Sequence, residues 1–221
     1  MALHHNHRIV TDGLVLALDA GDVNSYPGTG TTWYDLSGNG NNGTLTNGPS
    51  FQSTNQGIIE FDGTNDYVNV ANSDTLDGFS SVTFEAWVNP DNSASYRRIF
   101  DKNYNNSYNF SLANNNTFYI YINGSFSNSN TTVNPDEWQL LTATYNGTSA
   151  IFYKNGSIVQ TNAFAHGAVG TNSDDLRIGT NYNSTTSQFN GHIGLCKIYS
   201  KELTASEVLQ NYNATKTRFG L

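Results

Sequence analysis

The chain has a single cysteine, four prolines and few charges: Asp, Glu, Lys and Arg make up 13% of its 221 residues. One thiol cannot close an internal disulfide, so the fold must rest on packing and hydrogen bonds. Cys196 lies inside the apolar run GHIGLCKIY, where a buried inert thiol is expected and not a nucleophile. Positive charge is scarce. Ten Lys and Arg stand against 18 Asp and Glu, a net charge of -8, which disfavours nucleic acid and anionic lipid as partners. No apolar run reaches the roughly 20 residues that span a bilayer, and the opening MALHHNHRIVTDG holds no signal-like apolar stretch. A protein without membrane partner or export address is expected. Ser-nucleophile, metalloprotease and phosphate-loop motifs are missing as well.

What is present is alternation. In SVTFEAWVNP, Val82, Phe84, Ala86 and Val88 fall on one face and Thr83, Glu85 and Trp87 on the other, the period of a strand. GLVLALDA, GIIEFDG, DYVNVA, YNFSLANN, TFYIYING, EWQLLTATYNG, SAIFYKNG, SIVQTNAF, DLRIGT and GHIGLCKIYS read the same way, giving about a dozen short strands, the signature of a sandwich or barrel. Asn-Gly pairs at Asn123-Gly124, Asn146-Gly147 and Asn155-Gly156 follow strand-like runs and predict hairpin turns, because Asn and Gly accept the positive φ of type I′ geometry. One helix is predicted from Thr204 to Tyr212, where Thr204 and Glu207 have capping-box spacing and Val208, Leu209 and Tyr212 form an apolar stripe. Residues 1–12 read as an N-terminal tail or arm and 13–221 as one domain. His4, His5 and His7 in that tail are assigned no role.

Six segments in order, DLSGNGNNGTL, IIEFDGTNDYVNV, VTFEAWVNP, EWQLLTATYNGTSAIFYKNGSIV, LRIGTNY and FNGHIGLCKIYSKELTASEVLQNY, resemble the laminin-G-like, concanavalin A-like jelly roll over nearly the whole chain. The resemblance implies an all-β, two-sheet antiparallel sandwich with one short C-terminal helix, and it implies that Trp87 and Trp138 are core. The opening GLVLALDAGDVNSYPGTGTTWYDLSGNGNNGTLTNGP and the close SEVLQNYNATKTRFGL are similar to a subgroup found in tailed-bacteriophage structural proteins. That similarity implies a non-catalytic decoration protein on the virion surface, assembled in the host cytoplasm, with other virion proteins, copies of itself or glycans as partners. The alternative is a bacterial carbohydrate-binding or adhesion module, and a glycoside hydrolase is a third reading.

Catalysis on this fold would use carboxylates spaced E-x-D-x-E along one strand. Here Glu60-Phe61-Asp62-Gly63-Thr64 lacks the third acid. Calcium is the candidate cofactor, since this hard cation takes several oxygens from a Gly-rich loop. Asp35, Asn39 and Asn41 alternate in DLSGNGN, and Asp62 and Asp66 cluster in FDGTND. The competing reading is that both are Asx-turns that need no metal. Many family members carry an acid where this chain has Gly194, which removes a ligand. For glycans, stacking on aromatic faces points to Tyr96, Tyr104, Tyr108, Tyr119 and Tyr121 in the Asn-rich middle, with Tyr119 and Tyr121 opposite the apolar face of Phe118, Ile120 and Ile122. The pair Tyr119→Ser and Tyr121→Ser is expected to weaken attachment without disturbing the fold. His166 and His192, near glycines, are read as ordinary surface or hydrogen-bonded histidines.

Overall fold

A computed structural model describes residues 8–184 and 186–221. His4, His5 and His7 lie outside the described residues. The strands, in chain order, are β1 Leu14–Asp19, β2 Thr32–Trp33, β3 Gly43–Thr46, β4 Ser50–Gln52, β5 Ile58–Asp62, β6 Tyr67–Val70, β7 Val82–Pro90 and β8 Arg97–Lys102. They continue with β9 Tyr108–Leu112, β10 Thr117–Ile122, β11 Ser125–Thr132, β12 Gln139–Tyr145, β13 Ser149–Lys154, β14 Ser157–Ala163, β15 Leu176–Ile178 and β16 Asn190–Tyr199. Among the described residues one α-helix, α1, spans Ala205–Thr215 and runs into a 3₁₀ turn at Lys216–Phe219.

Two antiparallel sheets form a jelly-roll sandwich. The first has the order β14-β13-β12-β7-β16-β5-β4, with β1 also paired to β16, and the second has the order β11-β10-β9-β8-β15-β6-β3-β2. The inner faces meet in one core that includes Val82, Phe84, Ala86 and Val88 of β7 and Phe118, Ile120 and Ile122 of β10, the phases that alternation predicts. Phe84 lies 5.0 Å from Tyr108 and 6.1 Å from Phe110, so aromatic rings fill the space between the sheets.

Hairpin chemistry holds at two of the three Asn-Gly pairs. Asn123-Gly124 joins β10 to β11 and Asn155-Gly156 joins β13 to β14, each with positive φ at both residues. At Asn146-Gly147 only the glycine has positive φ. There Asn146 Oδ1 accepts from the backbone of Thr148 and Ser149, making an Asx-turn in a longer loop.

The helix carries the capping box expected from its sequence, with Thr204 and Glu207 bonded reciprocally. Helix and 3₁₀ turn together cover the outer face of the first sheet. Trp87 is fully buried there and not between the sheets: its ring stacks 4.3 Å from Phe219 and its Nε1 donates to Thr215 Oγ1 at 2.8 Å. Gly194 makes this cover fit, since a Cβ at that position would stand 2.7 Å from the Phe219 ring. Beneath α1, Lys197 and Glu85 form a wholly buried ion pair at 2.5 Å. Thr142 and Asn211 donate to the other Glu85 oxygen. Asn211 also accepts from the Val10 amide at 2.8 Å, and Tyr199 donates to the Val10 carbonyl. Residues 8–12, read from sequence as part of a tail, are therefore docked on the domain, with Val10 buried.

Candidate functional site

The outer face of the second sheet carries the candidate site. Register lines up Phe126, Tyr121, Asn109 and Asp101 across β11, β10, β9 and β8, and Asn128, Tyr119, Ser111 and Arg98 beside them. A bulge in β8 between Arg98 and Phe100 puts Arg98 and Asp101 on the same face although three residues separate them. Arg98 is buried and donates to Tyr119 Oη at 2.8 Å and Asn109 Oδ1 at 3.2 Å, while its Nε pairs with Asp101 at 3.2 Å. Its guanidinium also lies 5.2 Å from the centre of the Tyr104 ring. This cation is the post on which the tyrosines stand. Burial raises the Tyr119 hydroxyl to about 12, against the pull of Arg98, so it stays protonated. Burial likewise lifts the Asp101 carboxyl to about 7, with Arg98 opposing.

Above this layer is a cleft of about 260 Å³. Tyr119, Tyr121 and Phe126 form its floor, with ring centres 5.8 to 6.1 Å apart, and Tyr96 stands 6.2 Å from Tyr119 as a wall. Amides of Asn114, Asn115 and Asn128 complete the rim. Asn115 uses Oδ1 to accept from Thr117, leaving its amide nitrogen for an incoming group. Tyr96 and Phe126 are 50% and 55% exposed, so their ring faces are open at the cleft.

Of the five tyrosines singled out in the sequence, the structure brings Tyr96, Tyr119 and Tyr121 into this cleft. Tyr104 packs at its edge, 5.2 Å from Tyr121. Tyr108 does not belong to it: the ring is fully buried against Phe84 and Phe79 in the core. Its strand alternates Tyr108, Phe110 and Leu112 inward, so it cannot meet a ligand. Tyr119 is only 2% exposed and holds Arg98, so a substitution to Ser there disturbs the fold as well as the cleft, contrary to the expectation above. Phe126 and the Asn rim were missed.

The oxygens read as calcium candidates are engaged by hydrogen bonds, at Asp35 on both carboxylate oxygens and at Asp62 and Asp66 on one each. Both Asp35 oxygens are taken by donors: Oδ1 accepts from the Ala17 and Ser37 amides, and Oδ2 from Ser37 Oγ and the Asn41 amide. Four hydrogens aimed at one carboxylate occupy the lone pairs that a metal would need. Asn39 donates its amide nitrogen to Leu14 and Ser37, and Asn41 to Val15 and Thr75. Asp66 accepts from the Asp62 amide, Asp62 accepts from Thr64, and burial raises the Asp66 carboxyl. Among the described residues no group of three or more His, Cys, Asp or Glu is placed to hold a metal. Asp35→Ala is accordingly expected to cost about 2–4 kcal/mol, the price of orphaned buried donors. Melting curves with calcium and with chelator should coincide for parent and variant alike; a calcium-dependent shift that Asp35→Ala removes would contradict this.

Glu60 faces its neighbours, accepting from Ser50 Oγ at 3.1 Å and from Gln52. His192 packs near Trp138 and His166 near Phe164. Cys196 is buried, and burial pushes its thiol well up.

The family model of the concanavalin A-like lectin/glucanases superfamily matches residues 62–209, and the chain belongs to that superfamily. Its fold is similar to domain 4 of AbnA, an extracellular arabinanase of Geobacillus stearothermophilus solved with arabinotriose: 15% identity, TM-score 0.72, 90% of this chain and 98% of that one. It is also similar to the binding domain of Paraclostridial Mosquitocidal Protein 1, at 17% identity and TM-score 0.71 over 92% of this chain and 52% of that one. The ligand-binding domain of botulinum neurotoxin serotype D, solved with N-acetylneuraminic acid, matches at 15% identity and TM-score 0.71 over 92% and 51%. The chain spans about half the length of these two binding domains. No curated protein matches it in sequence.

Proposed function

We propose that this protein is a non-catalytic carbohydrate-binding module, with the Tyr96, Tyr119, Tyr121 and Phe126 cleft as its site. The observation that carries this reading is the convergence of exposed aromatic faces with amide groups on one sheet face. Sugars present C–H surfaces that stack on rings and hydroxyls that bond amides, so this pairing suits them. The arabinotriose and N-acetylneuraminic acid with which two structural neighbours were solved support a glycan partner. A non-enzymatic role is supported by Glu60, whose carboxylate is engaged by Ser50 and Gln52 and lacks a third acid at Thr64. The ends of the chain, similar to phage structural proteins, support a setting on a virion surface, with other virion proteins or further copies of the chain as neighbours. In that setting the cleft would hold a particle to glycan-coated surfaces.

The test is a panel of immobilised neutral and acidic glycans probed with the purified parent protein in the presence of chelator. Binding that Tyr96→Ala removes, with no reducing sugar released, is expected. Silence across the panel would overturn the reading.

A further inference from the structure

Tyr96 is a wall shared by two hollows. On one side is the aromatic cleft of about 260 Å³, and on the other a second hollow of about 470 Å³ lined by Thr64, Ser93, Ser95, Ser187, Gln188 and Asn190. The cleft alone falls below the roughly 300–1,000 Å³ usual for small-molecule sites, whereas the two joined at Tyr96 fall inside it. Their chemistries complement each other. The first offers stacking faces, and the second offers hydroxyls and amides.

Neither lining holds a charged side chain. The cation under the floor, Arg98, is buried and already bonded to Tyr119, Asn109 and Asp101. The chain itself carries net charge -8. A carboxylated or sulfated sugar would have to shed its water here without meeting a counter-charge, which is costly, while a neutral sugar loses nothing of the kind.

Resting on the binding role proposed above, we infer that the ligand class is an uncharged linear oligosaccharide bound along its length. One unit stacks in the aromatic cleft and the next units cross Tyr96 into the hydroxyl-lined hollow. Recognition of a terminal acidic sugar is thereby disfavoured.

The experiment measures affinity for arabinan, xylan, β-glucan and mannan oligosaccharides of one to six units, with sialylated and galacturonate glycans beside them. In the series that responds, affinity rises at least tenfold from one to three units, and no acidic glycan exceeds its neutral counterpart. Ser95 is exposed at the hollow, so Ser95→Trp fills it without touching the core. That variant keeps the parent's melting temperature but loses the gain in affinity with length. A flat series, a preference for acidic glycans, or a length gain that survives Ser95→Trp overturns this inference and leaves the aromatic cleft standing. Binding that Phe126→Ala leaves untouched, or no binding at all, sinks the carbohydrate reading itself.

Discussion

Lys197→Met is expected to destabilise the protein by about 3–5 kcal/mol, because it leaves Glu85 as an uncompensated, fully buried charge. Both partners are fully buried between the first sheet and α1, on paired positions of β16 and β7. The cost comes from the charge left behind, so replacing both should be milder than replacing one. In the double variant Glu85→Met with Lys197→Met, more than half of the loss should return, the remainder reflecting the Thr142 and Asn211 donors left without an acceptor. Urea unfolding of the four proteins in a double-mutant cycle measures this coupling. A single-variant cost below about 1 kcal/mol, or a double variant as damaged as the sum of the singles, would show that the pair is not closed off from solvent.

The second large effect depends on pH. Arg98→Met removes the partner of Asp101 and the donor to Tyr119 together. Asp101 holds its proton up to about pH 7 because of burial, well above the ordinary carboxylate range. As pH rises from about 4, the unfolded chain releases this proton before the folded one does. The stability contributed by the group is thus fully present below about pH 4 and is lost as pH climbs through about 7. Arg98 limits that loss. Without it, the variant should be about 3–5 kcal/mol less stable than the parent at pH 8 and distinctly less penalised at pH 5, where Asp101 is neutral in both. Thermal melts at the two pH values check this. A penalty that is equal at both would mean that Asp101 is ionised throughout, and one larger at pH 5 would contradict the account outright.

The sandwich could be read from the sequence because alternation is a local signal: β7 and β10 bury the residues that their period dictates. The helix was equally legible, since Thr204 and Glu207 sit at the spacing that a capping box requires. The site was legible in part. Tyr119 and Tyr121 follow from the phase of β10, but Phe126 reaches them only through the β10–β11 register, in which it sits across from Tyr121. Register depends on turn geometry and on the opposite strand, not on the strand's own residues. Arg98 and Asp101 share a face only because a bulge shifts β8, which no period of two can anticipate. Tyr108 was misplaced although the signal was there, as it stands two and four residues before Phe110 and Leu112 on the inward side. Asp35 has the spacing of a metal loop, yet the same oxygens satisfy the backbone of the turn, and a donor such as the Ala17 amide lies too far along the chain for spacing to show it.

The account stands or falls on whether the exposed rings of the cleft bind sugar while contributing little to folding. Tyr96 and Phe126 are about half exposed, so replacing either by Ala should change the melting temperature by no more than about 2 °C, the scale of a surface substitution. Calorimetric titration of parent, Tyr96→Ala and Phe126→Ala with the glycan that the panel selects is the direct measurement. The prediction is at least a tenfold loss of affinity in each variant at an unchanged melting temperature, with little dependence on salt because no charge lines the cleft. Parent-like affinity in both variants would contradict it, as would binding that collapses between about 50 and 200 mM salt in the manner of charge-driven association.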